Sequence, residues 1–222
     1  MSFRSCVRRV VYGNYTLYVA SHQLVHFFLK HLRGGLKVVN HGCAKLRKDV
    51  IGADNSITIG KGSLIHKMEL YVRGKDNTVE IGKSCIIGHN CSIRIEGNGC
   101  NVSIGDGTTM TRDIHICVQE DGMSITIGKD CMFSNNIIVR TSDSHPIYKD
   151  GQRINPAAPI VIGNHVWIAP ETTILKGVTI GDNCILASKS LLTKSVAESC
   201  LVAGLPAKVV KTGVNWTRES LY

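Results

Sequence analysis

A six-residue rhythm of apolar residues constrains this chain more than any other feature. Ile162-Gly163, Ile168, Ile174 and Ile180-Gly181 follow one another at six-residue intervals, so three intervals close an 18-residue unit. Neither the 3.6-residue period of a helix nor the two-residue alternation of a half-buried strand produces this spacing. A fixed period marks a fold made by stacking one small unit on the next. The same reading puts first hexads at Ile59, Ile81, Ile104, Ile127, Ile162 and Ile180. Second hexads start at Ile65, Ile87, Met110, Phe133, Ile168 and Leu186, and third hexads at Tyr71, Ile93, Ile116, Val139, Ile174 and Leu192. Three hexads make one turn of a three-sided prism, and successive turns stack at ~4.8 Å as neighbouring strands do.

The earlier turns are longer, with 22, 23 and 23 residues between first hexads. The surplus follows the third hexad each time, in Gly74-Lys75-Asp76-Asn77, Glu96-Gly97-Asn98-Gly99 and Glu120-Asp121-Gly122. Such Gly/Asn/Asp text reads as turns protruding from one corner. A small residue at position five (Ser63, Cys85, Thr108, Cys131, Val166, Cys184) is expected to complete the core, with Cys91 in the same role on a second face. The glycines at position two are expected at corners with positive φ.

Apolar residues are 43% and charged residues 19% of the chain, which places it among globular proteins and not disordered ones. No apolar run approaches the ~18 residues of a membrane span, and no export signal is legible. The nine cysteines lack metal-ligand spacing and are odd in number. They are therefore expected to be reduced thiols in a cytoplasmic protein, with no metal site. The formal charge of +9 suits an anionic ligand. Aromatic residues make up only 5% and do not interleave with basic ones, which argues against nucleic acid.

Residues 1 to 36 lie outside the repeat. Leu17, Ala20, Leu24, Phe28 and Leu32 fall at helical spacing ahead of Gly34-Gly35, with Arg4, Arg8, Arg9, Lys30 and Arg33 around them. A packed N-terminal helix is expected; peripheral contact with an anionic membrane is the other reading. Residues 37 to 58 read as an irregular first coil, and residues 213 to 222 as a short tail in which Trp216 packs across a coil.

The order of the later segments is specific: Ile162-Gly163-Asn164-His165-Val166-Trp167-Ile168, then Val178-Thr179-Ile180-Gly181, Leu191-Leu192-Thr193-Lys194 and Gly204-Leu205-Pro206-Ala207-Lys208. Over roughly residues 50 to 212 the chain resembles the hexapeptide-repeat acyltransferases. That resemblance implies an all-β, left-handed parallel β-helix over residues 37 to 212, with a protruding active-site loop at residues 143 to 159. It also implies a homotrimer with sites shared between neighbours.

The rhythm breaks once, by a 17-residue excursion that contains Asp143-Ser144-His145-Pro146-Ile147-Tyr148. The text around His145 is similar to that of the galactoside, maltose and capsule-type O-acetyltransferases. In them a His-Pro at this place supplies the catalytic base, and a tryptophan one coil later, here Trp167, lines the acceptor pocket. The chemistry is coherent by itself. A sugar hydroxyl must lose its proton as it attacks, and an imidazole of pKa near 6.5 is suited to take it. Asp143 either orients His145 or caps the loop. Arg153 either holds an acidic acceptor or braces the loop, and Tyr148 is a second acceptor candidate. His165, at position four, is expected on the outer surface.

The resemblance also implies acetyl-CoA as cosubstrate, with no metal. Matching positions for its pantetheine arm and phosphates are Ala169, Ser188, Thr193, Lys194, Pro206, Lys208 and Lys211. Relatives read Gly-Ala-Gly-Ser where this chain has Ala187-Ser188-Lys189-Ser190. The implied reaction is O-acetylation of a saccharide, with a surface or capsular polysaccharide, including a sialic acid polymer, as the favoured acceptor. An antibiotic, serine or nucleotide amino sugar as acceptor, or a non-catalytic assembly module, are the alternatives.

Overall fold

The computed structural model describes residues 35 to 221, and every regular element among them is a strand. The expected helix of the N-terminal segment lies outside the described residues. A seven-stranded parallel sheet runs Leu36–Asn40, Asn55–Ile59, Thr78–Ile81, Asn101–Ile104, Ser124–Ile127, Ile160–Ile162 and Thr179–Ile180. Its spatial order is its sequence order, so each strand pairs with the strand one turn earlier and one turn later. This is a β-solenoid.

A twelve-stranded sheet covers the other two faces, because several strands are long enough to continue round a corner. Thr109–Gln119 pairs first with Ile86–His89 and then with Cys91–Glu96. The first-hexad and second-hexad residues are buried throughout, from Ile59 and Ile65 to Ile180 and Leu186. Each such side chain contributes roughly 1.5–3 kcal/mol on leaving water.

Three expectations change. The third ladder begins at Leu70, not Tyr71: Leu70 lies opposite Ile93, while Tyr71 lies opposite Arg94 and faces outward. A register shift between Ala44 and Leu46, on the strand paired with this one, accompanies the shorter step. Residues 37 to 58 are irregular only locally, at Ala44–Leu46, and otherwise form a paired coil, for Asn40 aligns with Ile59 and Lys48 with Leu70. The position-two glycines are required by stacking and not by positive φ. A Cβ on Gly60 or Gly105 would lie 2.5 Å from the carbonyl carbon of Gly82 or Gly128 one turn on. Positive φ falls instead at position four, at Ser84, Asp130, His165 and Asn183.

The small position-five residues are buried as expected, and the polar ones bridge turns. Ser63 Oγ donates to Gly82 O (2.7 Å) and accepts from Cys85 N (2.9 Å). At another corner Asn77 repeats the idea, donating to Asn55 Oδ1 (2.9 Å) and Gly97 O (3.0 Å) and accepting from Cys100 N (2.8 Å). These bonds satisfy buried groups that would otherwise each cost ~1–3 kcal/mol. The described cysteines are free thiols, and burial pushes the Cys131 thiol up to about 11.

A hairpin of Cys200–Gly204 and Ala207–Thr212 extends the last turn. The tail then runs back over the outside. Trp216 stacks on His165 with ring centroids 4.1 Å apart, and each residue bonds the other's backbone carbonyl. Arg218 continues the contact to Asp130 (2.8 Å).

Phe133→Ala should lower unfolding free energy by about 3–5 kcal/mol, since Phe133 is fully buried. Gly105→Ala should also destabilise, through contact with stacked backbone that cannot recede. Denaturant titration of both variants tests this, and wild-type midpoints would contradict it.

Candidate active site

The 17-residue excursion leaves the solenoid at the corner already used by the three earlier turns. Those turns form a column: Asp121 Oδ1 accepts from Asn98 N (2.8 Å), and Asn98 Oδ1 accepts from Lys75 N (3.0 Å). The excursion is anchored to the top of that column. Arg153 forks onto Glu120, with Nη1 to Oε2 at 2.8 Å and Nη2 to Oε1 at 2.5 Å. Arg153, bonded to Glu120, holds that carboxyl below the usual range, and Ser142 adds a bond of its own. The tip is a small hairpin, Tyr148–Lys149 against Gln152–Arg153.

Asn155 locks the segment that carries the histidine. It is buried, accepts the Ile147 N–H (2.6 Å), and donates to His145 O (2.9 Å) and Asp143 Oδ2 (2.8 Å). Lys176 donates to the same Asp143 oxygen at 2.5 Å. The Lys176 bond, then the Asn155 bond, hold the Asp143 carboxyl below the ordinary carboxylate range.

His145 is exposed and opens into a cleft of about 390 Å³ lined also by Arg94, Glu96, Cys117, Gln119 and Arg140. Among the described residues, its ring nitrogens have no hydrogen-bond partner. The backbone is fixed while the imidazole is free, an arrangement compatible with proton exchange.

The structure separates the sequence candidates. Asp143 bonds Lys176 and Asn155, so it caps the loop. Arg153 is committed to Glu120 and braces the loop. Tyr148 is exposed on the hairpin, outside the lining of the His145 cleft. Trp167 sits on another face, between Met132 and Ile185, with Trp216 of the tail 6.1 Å away. It therefore does not line the His145 cleft of its own chain. His165 has both nitrogens engaged, by Asp130 (2.7 Å) and Trp216 O (2.9 Å), and serves the tail.

Ser188, Thr193, Lys194, Pro206, Lys208 and Lys211 are exposed on the coils after His145, while Ala169 is buried. Lys194 follows Leu191–Leu192 on one face, and Lys208 and Lys211 belong to the hairpin that extends another. Lys189 occupies a left-handed corner (φ 59°), 3.8 Å from Glu171, whose φ is 62°. It stands at a backbone conformation where glycine costs least. Among the described residues, no group of three or more His, Cys, Asp or Glu is placed to hold a metal ion.

Sequence reasoning missed Glu120, Asn155 and Lys176 as loop anchors. In the sequence Glu120 reads only as turn text. It also missed Arg94 and Arg140, although their spacing is legible: Cys117 stands 23 residues from each, the same step that separates the inward ladder residues.

Among the described residues the β-solenoid carries one long corner loop, and His145 stands on it. Residues 159–194 match the family model Bacterial transferase hexapeptide (six repeats). The chain is 38% identical to the polysialic acid O-acetyltransferase of Neisseria meningitidis over 193 residues, 76% of this chain and 88% of that protein. It is 36% identical to the polysialic acid O-acetyltransferase of Escherichia coli O1:K1 / APEC over 91 residues, 40% of this chain and 30% of that protein's length. The crystal structure of the polysialic acid O-acetyltransferase OatWY superposes with a TM-score of 0.70 at 32% identity, covering 83% of this chain and 91% of that one. The chain belongs to the hexapeptide-repeat O-acetyltransferases, enzymes whose acyl donor is acetyl-CoA.

The Asp143 brace should persist down to about pH 4, the ordinary carboxylate value. A depressed folded pKa means its contribution is complete above that value and is lost as pH falls through the lower folded one. Hydrogen exchange of the Ile147 amide, corrected for intrinsic rate, should show constant protection from pH 6 to 4 and a decline only below. In Asp143→Ala the protection should be reduced between pH 6 and 4 and should converge with that of wild type as pH falls further.

Proposed function

We propose that this chain transfers the acetyl group of acetyl-CoA to a hydroxyl of an acidic saccharide polymer, a surface or capsular polysaccharide such as polysialic acid. The observation that carries this reading is His145, held by its backbone and free at its ring, at the mouth of a cleft beside two arginines. The two polysialic acid O-acetyltransferases similar to this chain support the acceptor class.

In the proposed reaction, the neutral imidazole of His145 accepts the hydroxyl proton as the hydroxyl oxygen bonds to the thioester carbon. The tetrahedral intermediate then collapses, the C–S bond breaks, and the departing CoA sulfur takes the proton from His145. Direct transfer needs no acyl-cysteine: Cys131 and Cys184 are buried, and desolvation raises the thiol pKa of both and of Cys117, the cysteine that lines the cleft. Exposed Lys194, Lys208 and Lys211 supply positive charge for the CoA phosphates.

A homotrimer in the cytoplasm fits this reading. Trp167 and His145 occupy different faces of one chain, so a pocket containing both requires a neighbouring copy. Leu64 and Ile86 also leave an apolar strip exposed on the Trp167 face.

His145→Ala should lower kcat by about 10²–10⁴, the usual contribution of a positioned base, with acetyl-CoA affinity unchanged. Thiol release measured against acidic and neutral glycans reads both quantities. A variant that keeps full activity would remove His145 from the mechanism, and transfer to neutral sugars alone would remove the acidic acceptor.

A further inference from the structure

The inward ladders explain the core, but the outward residues of the His145 face also stand in register. Tyr71 pairs with Arg94, Arg94 with Cys117, and Cys117 with Arg140. The adjacent outward column is Arg73, Glu96 and Gln119. Arg140 and Arg94 are therefore two rungs apart, about 9.6 Å at ~4.8 Å per rung. Both line the cleft into which His145 opens.

These side chains are held in place before any ligand arrives. The guanidinium carbons of Arg73 and Arg94 lie 3.8 and 4.2 Å from the Tyr71 ring centroid. Arg94 Nη2 bonds Glu96 Oε1 (2.6 Å), and Gln119 Nε2 bonds Glu96 Oε2 (2.6 Å). Ser144, next to His145, donates to Gln119 Oε1 (2.9 Å) and accepts from Arg140 Nη2 (2.7 Å). Three guanidinium groups face two carboxylates, Glu96 and Asp49, the latter paired with Arg73 (3.1 Å). The strip keeps a positive excess, and the hydrogen bonds made by Arg94 and Arg140 leave other guanidinium N–H donors for a ligand.

We propose that this column, from Arg140 through Arg94 to Tyr71, is an acceptor track that binds a carboxylate-bearing saccharide polymer along the solenoid axis. The proposal rests on the reaction proposed above and extends its site by two coils. The donor-side residues Ser188, Lys194, Lys208 and Lys211 all lie on coils after His145, whereas the track lies on coils before it. The two substrates then approach the imidazole from opposite ends and do not compete for surface. Arg94 acts as a specificity residue: it meets the acceptor at a distance from the reacting hydroxyl, so its contribution appears in acceptor binding.

The test compares wild type, Arg94→Ala, Arg94→Lys and Tyr71→Ala on polysialic acid, on sialic acid dimers and on a neutral oligosaccharide. Arg94→Ala should raise KM for the polymer about tenfold, the effect of losing one charge-assisted hydrogen bond. Its KM for the dimer should rise less than its KM for the polymer, and its KM for acetyl-CoA should not follow either. Arg94→Lys should restore part of the loss, and the wild-type advantage should shrink as salt rises. Equal unfolding midpoints show that the variants fold. A polymer KM unchanged in Arg94→Ala, or raised equally for all three acceptors, would overturn the track. Calorimetry of polymer binding to His145→Ala and to His145→Ala/Arg94→Ala separates this proposal from the reaction. Binding about tenfold weaker in the double variant supports the track even if no acetyl transfer is found, and equal binding refutes it even if transfer is confirmed. Equally tight binding of single-stranded DNA would replace the saccharide-specific track with general polyanion binding.

Discussion

Everything in this molecule depends on the requirement that each turn hydrogen-bond to the turns before and after it. The backbone can meet that requirement only if it returns to the same place at a spacing of one strand. Side-chain volume at the inward positions is therefore fixed rung by rung, which explains columns of isoleucine, small residues and glycine. Gly105 has no room for a Cβ because Gly128 is stacked directly upon it. Ser63 and Thr108 are tolerated inside because each hydroxyl bridges two turns. A parallel stack of this kind leaves little freedom in the core and directs variation to the corners.

One corner takes all of that variation. The surplus residues of three successive turns stack into a column, and the long excursion is clamped to it through Arg153 and Glu120. The loop carrying His145 is thus positioned by an insertion two dozen residues earlier. Asn155 completes the arrangement by satisfying backbone groups on both sides of His145. The result is a rigid main chain under a free imidazole, which is what general-base chemistry on a neutral hydroxyl needs.

The same stacking produces registered columns on the outside. There they present side chains to solvent: arginines with Tyr71 on the His145 face, and an apolar strip with Trp167 on the next. The tail crosses that second face, using His165 and Asp130 as anchors. Position four of the repeat, left-handed in backbone and pointing outward, thereby becomes a docking point.

Much of this was determined by the sequence alone. The period located the turns, the inward residues and the loop, because strand stacking converts a fixed spacing into a fixed place. His145 was legible because it opens the only long break in that spacing. The tertiary structure decided what the period does not encode. Tyr71 faces outward because its strand is one residue short of the ideal step, and a single-residue slip reverses the side on which a side chain lies. Asp143 and Arg153 brace the loop because Lys176 and Glu120, 33 residues away in each case, happen to lie beside them once the coils are stacked. Such partners are set by proximity between turns, and a linear repeat specifies rungs without specifying which polar groups on neighbouring rungs will meet.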